Sequence, residues 1–208
     1  VDVALATAWL RAAAGAVIAD TDELTKLDAA IGDGDHGVNM RRGFTAVAAV
    51  LDDTAFTGVG EVFVKVGGTL IAKVGGASGP LYGSAFRAFG KALPPGESAG
   101  LGDLVAALRA ALEAVTRLGG ATPGDKTLVD AFGPAVTAFE EAVIGGAGLP
   151  EAAAGAARAA GDGARATTAL TARKGRASYL GERSAGHQDP GATSTWLIFQ
   201  ALADVTAP

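Results

Sequence analysis

The chain has 208 residues with 22 acidic and 17 basic side chains, and its net charge of −5 lacks the basic excess of a general nucleic-acid binder. It contains no cysteine, which excludes a disulfide framework and thiolate metal sites. Hydrophobic residues make up 49%, much of it alanine, and no uncharged apolar run reaches the ~20 residues needed to span a bilayer. The length suits one domain over residues 1–208. Without a basic leader ahead of an apolar segment at Val1 to Asp20, the expectation is a soluble, cytoplasmic chain that contacts neither membrane nor nucleic acid.

In chain order, Leu5, Trp9, Leu10, Ala13 and Val17 recur at helical spacing until Asp20 and Thr21 break the pattern. An Asp-rich, glycine-dotted segment follows. A second helical pattern then runs from Gly37 through Met40, Phe44, Val47 and Leu51 to Asp52-Asp53. Residues 59–74 are ambiguous, because Val62, Val64 and Val66 alternate as in a strand while Val59, Val62, Phe63, Val66, Leu70 and Val74 fit one helical face. Helix is the better reading, since no partner strand is visible nearby. After the turn Gly75-Gly-Ala-Ser-Gly-Pro80 comes a short apolar segment to about Lys91.

Pro94-Pro-Gly96 is a connection, and Leu101 to Leu118 carries one stripe of leucine and valine, the clearest helix in the chain. Leu128, Phe132, Val136, Phe139 and Val143 continue the theme with Pro134 as an expected kink. Pro150 opens an Ala-rich helix to about Thr168. Residues 171–188 are polar, basic and aperiodic, as in a long loop that is either functional or disordered. Asp189-Pro190 reads as an N-cap and first helical position for a last helix through Trp196, Leu197, Phe199 and Leu202. The sum is about eight helices.

Chemistry concentrates at Asp28 to Asn39, where Asp28, Asp33 and Asp35 fall within eight residues. Gly32 to Gly37 matches the dinucleotide pattern G-x-G-x-x-G, yet no strand precedes it and two aspartates inside it would repel a pyrophosphate. A tight turn at Gly32 to Gly34 can aim the three carboxylates at one point, a set of hard oxygens suited to Mg²⁺ and its bridged phosphates. Spacing alone leaves a second reading open, in which Asp35 caps the following helix and the other two are solvated. His36 sits where it can donate to a phosphate, and phosphoryl transfer needs positioning and charge neutralisation more than a general base. Gly75 to Gly79 can present backbone N–H groups and the Ser78 hydroxyl to phosphates, or can simply be a close turn between helices. Arg173, Lys174, Arg176 and Arg183 form a basic cluster for a small anion or an ordinary solvated loop. No Walker-type P-loop is present.

Five stretches in order, Leu27 to Met40, Gly75 to Tyr82, Pro123-Gly-Asp-Lys-Thr127, Lys174 to Ser184 and Gln188-Asp-Pro-Gly-Ala-Thr193, together resemble the dihydroxyacetone kinase family. The resemblance is to its nucleotide-binding L subunit, equivalent to the C-terminal domain of the ATP-dependent form. It implies an all-α closed barrel of eight antiparallel amphipathic helices with the nucleotide site at one end. It also implies that Asp28, Asp33 and Asp35 hold two Mg²⁺ ions bridging the phosphates of ADP or ATP. His36, Gly37, Val38, Asn39, Ala77 and Ser78 would line the phosphates, and Gly119, Leu128, Arg176, Gln188, Asp189 and Pro190 would surround the rest. Leu128 stands where some relatives carry methionine.

Nothing in the chain resembles the sugar-holding K subunit, so the resemblance implies partners. These are a K subunit that binds dihydroxyacetone and a phosphoryl-carrying M subunit that recharges bound ADP in a phosphoenolpyruvate-fed system. Alternatives are an ATP-exchanging kinase subunit for dihydroxyacetone or a four-carbon ketose such as erythrulose, and a non-catalytic nucleotide-dependent module that binds a transcription regulator.

Overall fold

The structure, a computed structural model, describes residues 1–207, and among them it is all-helical apart from one isolated bridge between Asp2 and Ser98. Nine α-helices are present: α1 Val3–Ala19, α2 Thr21–Ile31, α3 His36–Asp53, α4 Val59–Lys73, α5 Ser78–Ala92, α6 Leu101–Gly119, α7 Val129–Ile144, α8 Leu149–Ala166 and α9 Pro190–Thr206. Two 3-10 segments, Thr167–Ala169 and Arg176–Ser184, lie between α8 and α9. No single helix among the described residues is long and apolar enough to cross a membrane.

Two expectations need correcting. The segment after α1 is not a loop as far as Gly32, because α2 occupies it, turning 61° from α1. Asp22 and Glu23 in its first turn complement the helix dipole, and the Gly32 N–H closes its last turn on the Asp28 carbonyl. The basic stretch expected as a loop through 188 winds into the 3-10 segment 176–184, broken at Gly181 with φ 56°. Elsewhere the periodicity holds: residues 59–73 are helical, burying Val59, Val62, Phe63, Val66 and Leu70 on one face. Asp189 caps α9 by accepting the Ala192 N–H at 2.7 Å, with Pro190 in the first position. Pro134 lies inside α7 without ending it.

Around the molecule each helix packs on the next in the order α1, α3, α4, α5, α6, α7, α8 and α9, and α9 packs back on α1. The helix outside this sequence, α2, packs on α3, α9 and the 176–184 segment. Trp9 anchors the core between Phe63 and Phe89, with ring centroids 5.5 and 5.8 Å away, and its indole N–H donates to the Ile198 carbonyl at 2.9 Å. Each such buried aromatic contributes on the order of 2–3 kcal/mol of apolar burial. The alanines of the composition are core as well: α8 buries Ala152, Ala153, Ala156, Ala157, Ala160 and Ala164.

Helices α4 and α5 approach closely enough that only glycine fits between them. A Cβ on Gly60 would lie 2.5 Å from the Gly90 carbonyl oxygen, and one on Gly67 2.6 Å from that of Gly83. The turn at residues 74–77 joins these two helices and reaches the functional end of the molecule.

Candidate functional site

A cleft of about 450 Å³ opens where α2 ends and α3 and α5 begin, closed on its other sides by the end of α6, the start of α7 and residues 174–177 and 189–191. Of the residues expected at the site, Asp28, Asp33, Asp35, His36, Ala77, Ser78, Gly119, Leu128, Arg176, Asp189 and Pro190 line it. Segments far apart in sequence thus meet on one hollow.

One oxygen from each of Asp28, Asp33 and Asp35 lies within 4.8 Å of the others. Asp28 is buried on the last turn of α2, where its Oδ2 accepts the N–H groups of Asp35 at 2.8 Å and His36 at 3.0 Å. That clamp folds residues 32–35 back over the helix and brings the two exposed aspartates beside the third. Asp33 also meets Arg176, with Nε 3.0 Å from Oδ2. Asp35 precedes α3 but its side chain accepts no capping bond, which removes the reading of this residue as a helix cap. Three carboxylates with oxygens within 4.8 Å of one another, two of them exposed, present the hard oxygen set that a divalent cation requires. The donor set fits Mg²⁺, and a bound ion would neutralise the charge gathered there.

Across the cleft, α5 begins at Ser78 after Gly76, whose φ of 63° turns the chain into it. No side chain caps this helix, so its first N–H groups are free to meet an anion. Lys174 and Arg176 add cationic groups to the same hollow, with the buried Lys126 behind its wall, while Val115, Ala121, Leu128 and Val129 give it an apolar floor. Carboxylates, helix N-terminus, cations and apolar floor are the features that a metal-bound phosphate ester with an apolar moiety would require.

Four expected residues lie off the wall. Gly37 faces α2, where a Cβ would lie 2.1 Å from the Thr21 carbonyl oxygen and 2.3 Å from Thr25 Oγ1. Val38 points outward, 45% exposed. Asn39 is buried with its Oδ1 accepting from Arg42 at 3.0 Å, and its amide abuts Gly75. Gln188 donates to Thr193 Oγ1 at 2.8 Å. Gly37 and Asn39 set the position of α3 and of the 75–77 turn.

The ring of His36 is committed inside the protein, with Nε2 3.0 Å from Ser194 Oγ and Nδ1 3.2 Å from Ser78 Oγ. Burial lowers its pKa to about 4, against the opposing pull of the Asp28 and Asp35 charges, so the imidazole is neutral at physiological pH. Asp189 is pushed up to about 7, chiefly by burial, despite the Ala192 N–H and the nearby Lys126.

Sequence reading missed Lys126, Tyr82 and Ser194. Lys126 is 1% exposed and donates from Nζ to the carbonyls of Thr167 and His187, tying the 122–127 turn to the end of α8 and the approach to Asp189. It is the one non-glycine residue of positive φ among those described, at 62°. Burial lowers its pKa, opposed by the charges of Asp189 and Asp130. The signal available was the Asp125-Lys-Thr127 stretch, which spacing could not assign to a role. Ser194 had no local signal, and Tyr82 stood at the end of the Gly75 to Tyr82 stretch without an assigned role.

The family model described as the DAK2 domain matches residues 30–204. The chain is 42% identical to the ADP-binding subunit DhaL of the PEP-dependent dihydroxyacetone kinase of Escherichia coli K12, over 94% of this chain and 93% of that one. It is 39% identical to the L-erythrulose 1-kinase of Mycolicibacterium smegmatis, covering 90% of this chain but 33% of that longer protein. Among solved structures it is similar to the dihydroxyacetone kinase of C. freundii in complex with AMP-PNP and Mg²⁺. There the TM-score is 0.74 with 28% identity, over 97% of this chain and 34% of that one. The chain belongs to the DAK2 domain family, together with the ADP-binding subunits of dihydroxyacetone kinases.

Proposed function

We propose that this single domain carries Mg²⁺-bound ADP and ATP as a subunit of a dihydroxyacetone kinase. The observation that carries the reading is the meeting of three carboxylates with an uncapped helix N-terminus and the cationic side chains of Lys174 and Arg176 around one cleft. Asp28, Asp33 and Asp35 would hold two Mg²⁺ ions, which when bound supply the charge neutralisation that phosphoryl transfer requires. The free N–H groups at Ala77 and Ser78 face the phosphates. Leu128 and Gly119 take the base, and Arg176 and the Asp189-Pro190 wall close over it. The order of helix neighbours, returning from α9 to α1, supports a closed barrel of eight antiparallel helices with this site at one end.

In this reading ADP stays bound as a coenzyme. A phosphoryl-carrying M subunit recharges it in place, and the γ-phosphate passes to dihydroxyacetone held on a K subunit. A docking partner is supported by exposed apolar side chains beside the cleft: Val38 follows its wall residue His36 by two positions, Leu118 precedes Gly119, and Tyr179, 87% exposed, follows Ala177.

The test is to purify the chain and assay for bound ADP. Retention through dialysis with Mg²⁺ supports the coenzyme reading, and readily washed nucleotide favours an ATP-exchanging subunit. Failure to bind ADP with Mg²⁺ overturns both. Assaying transfer to dihydroxyacetone and to erythrulose, with and without a phosphoenolpyruvate-charged partner, separates donor and ketose. Capture of a transcription regulator without a kinase partner would instead favour the regulatory module.

A further inference from the structure

A chain of buried hydroxyl groups runs from α9 to the cleft through His36. Tyr82 Oη lies 2.8 Å from the Gly191 carbonyl oxygen, 2.7 Å from Ser194 Oγ and 2.8 Å from Thr195 Oγ1. Ser194 Oγ lies 3.0 Å from His36 Nε2, and His36 Nδ1 lies 3.2 Å from Ser78 Oγ at the cleft. Tyr82, Ser194 and Thr195 are all buried.

Each hydroxyl has one hydrogen to give, and a carbonyl has none. The Gly191 oxygen can only accept, so the Tyr82 hydrogen goes there. The 2.7 Å contact between Tyr82 and Ser194 then needs the hydrogen of Ser194, and the contact between Ser194 and His36 needs a hydrogen on Nε2. The reverse order would leave Tyr82 Oη and the Gly191 oxygen 2.8 Å apart with no hydrogen between them.

We propose that Ser194, whose own hydrogen is taken by Tyr82 Oη or the Gly191 carbonyl oxygen, is a positioning residue that holds the imidazole hydrogen on His36 Nε2 and thereby draws the Ser78 hydroxyl hydrogen inward to Nδ1. Ser78 Oγ then offers only lone pairs to the cleft. These suit a donor such as a water bound to a metal ion and repel a bare phosphate oxygen, which is left to the backbone N–H groups of the same turn. The consequence for Ser78 rests on the Mg²⁺-nucleotide reading above, whereas the hydrogen order does not.

The chain has two histidines, so ¹⁵N-labelled side-chain NMR resolves the ring nitrogens of His36 without nucleotide. The wild-type protein should show hydrogen on Nε2 and a bare Nδ1. Ser194→Ala removes the acceptor of a buried donor, which should move the hydrogen toward Nδ1 and change the tautomer ratio ~tenfold or more. Tyr82→Phe also removes one buried hydroxyl, but Ser194 can turn its hydrogen to the Gly191 oxygen 3.1 Å away, so the Nε2 signature should persist. Hydrogen on Nδ1 in the wild type, or the same response from both variants, overturns the proposal. Because this readout needs no ligand, a wild-type chain that keeps the signature yet fails to bind Mg²⁺-ADP would overturn the proposed function alone.

Discussion

Asp28 and Asp33 belong to one carboxylate cluster, yet replacing them by alanine should have opposite effects on the empty protein. Asp28→Ala removes the acceptor for the Asp35 and His36 N–H groups. Hydrogen bonds to a charged group are worth about 1.5–3 kcal/mol each, giving about 3–6 kcal/mol. Relief of repulsion from two neighbouring carboxylates within 4.8 Å returns about 1 kcal/mol each in a solvated site. The net loss is about 1–4 kcal/mol, which lowers the melting temperature by roughly 2–15 °C for a chain of this size. Asp33→Ala loses only a pair with Arg176, whose side chain is 69% exposed, worth ~0–1 kcal/mol, and gains the same relief. Its stability should rise by about 1–2 kcal/mol over wild type.

Thermal melts with and without Mg²⁺-ADP complete the comparison. A ligand at about 100 times its Kd stabilises by ~2.7 kcal/mol, and that shift should vanish in both variants. A melting point for Asp33→Ala as low as that of Asp28→Ala, or a preserved Mg²⁺-ADP shift in either, would refute the division of the cluster into one clamp and two open ligands.

Lys126→Met leaves the Thr167 and His187 carbonyls without their donor and Asp189 without its nearby cation, and should cost about 3 kcal/mol in urea unfolding. Asp189 has a folded pKa of about 7, raised above the ordinary 3.8 by burial, so the native state holds a proton that the unfolded chain releases. Its contribution should therefore be most favourable below pH ~4, fall as pH rises toward 7 by up to ~4 kcal/mol, and level off above. Asp189→Asn should flatten that slope in denaturation series across pH. Gly37→Ala would drive a methyl group into the Thr21 carbonyl and Thr25 hydroxyl, pushing α2 off α3. It should cost about 1–3 kcal/mol and weaken Mg²⁺ binding together, because Asp28 rides on α2.

Most of the helical framework was legible because its apolar residues repeat at 3–4 positions, as in α6, where Leu104, Leu108 and Val115 are all buried. α2 was not, for a physical reason: its inward face is Thr21, Leu24, Asp28 and Ile31, so a buried ligand interrupts the apolar stripe. The residue that carries the chemistry disguised the helix that carries the residue. The 176–184 segment escaped because 3-10 turns have no 3.6-residue period. At the site, Asp28, Asp33 and Asp35 declared themselves by proximity in sequence. Ser194, 158 residues from His36, could not, since nothing local to a serine reports which ring it will face.

The glycine contacts between α4 and α5 have a consequence for the timing of ligand exchange. At Gly60 and Gly90, and again at Gly67 and Gly83, backbone lies against backbone with no side chain between the two helices. The turn at their tip moves only if the whole hairpin moves. The opposite wall hangs on 3-10 turns and on Gly175 and Gly181, both in the left-handed region. The α4–α5 wall is therefore expected to be the stiffer of the two, with ligand exchange governed by the basic side. Slower amide hydrogen exchange along α4 and α5 than across residues 174–186 is the expected record of that asymmetry.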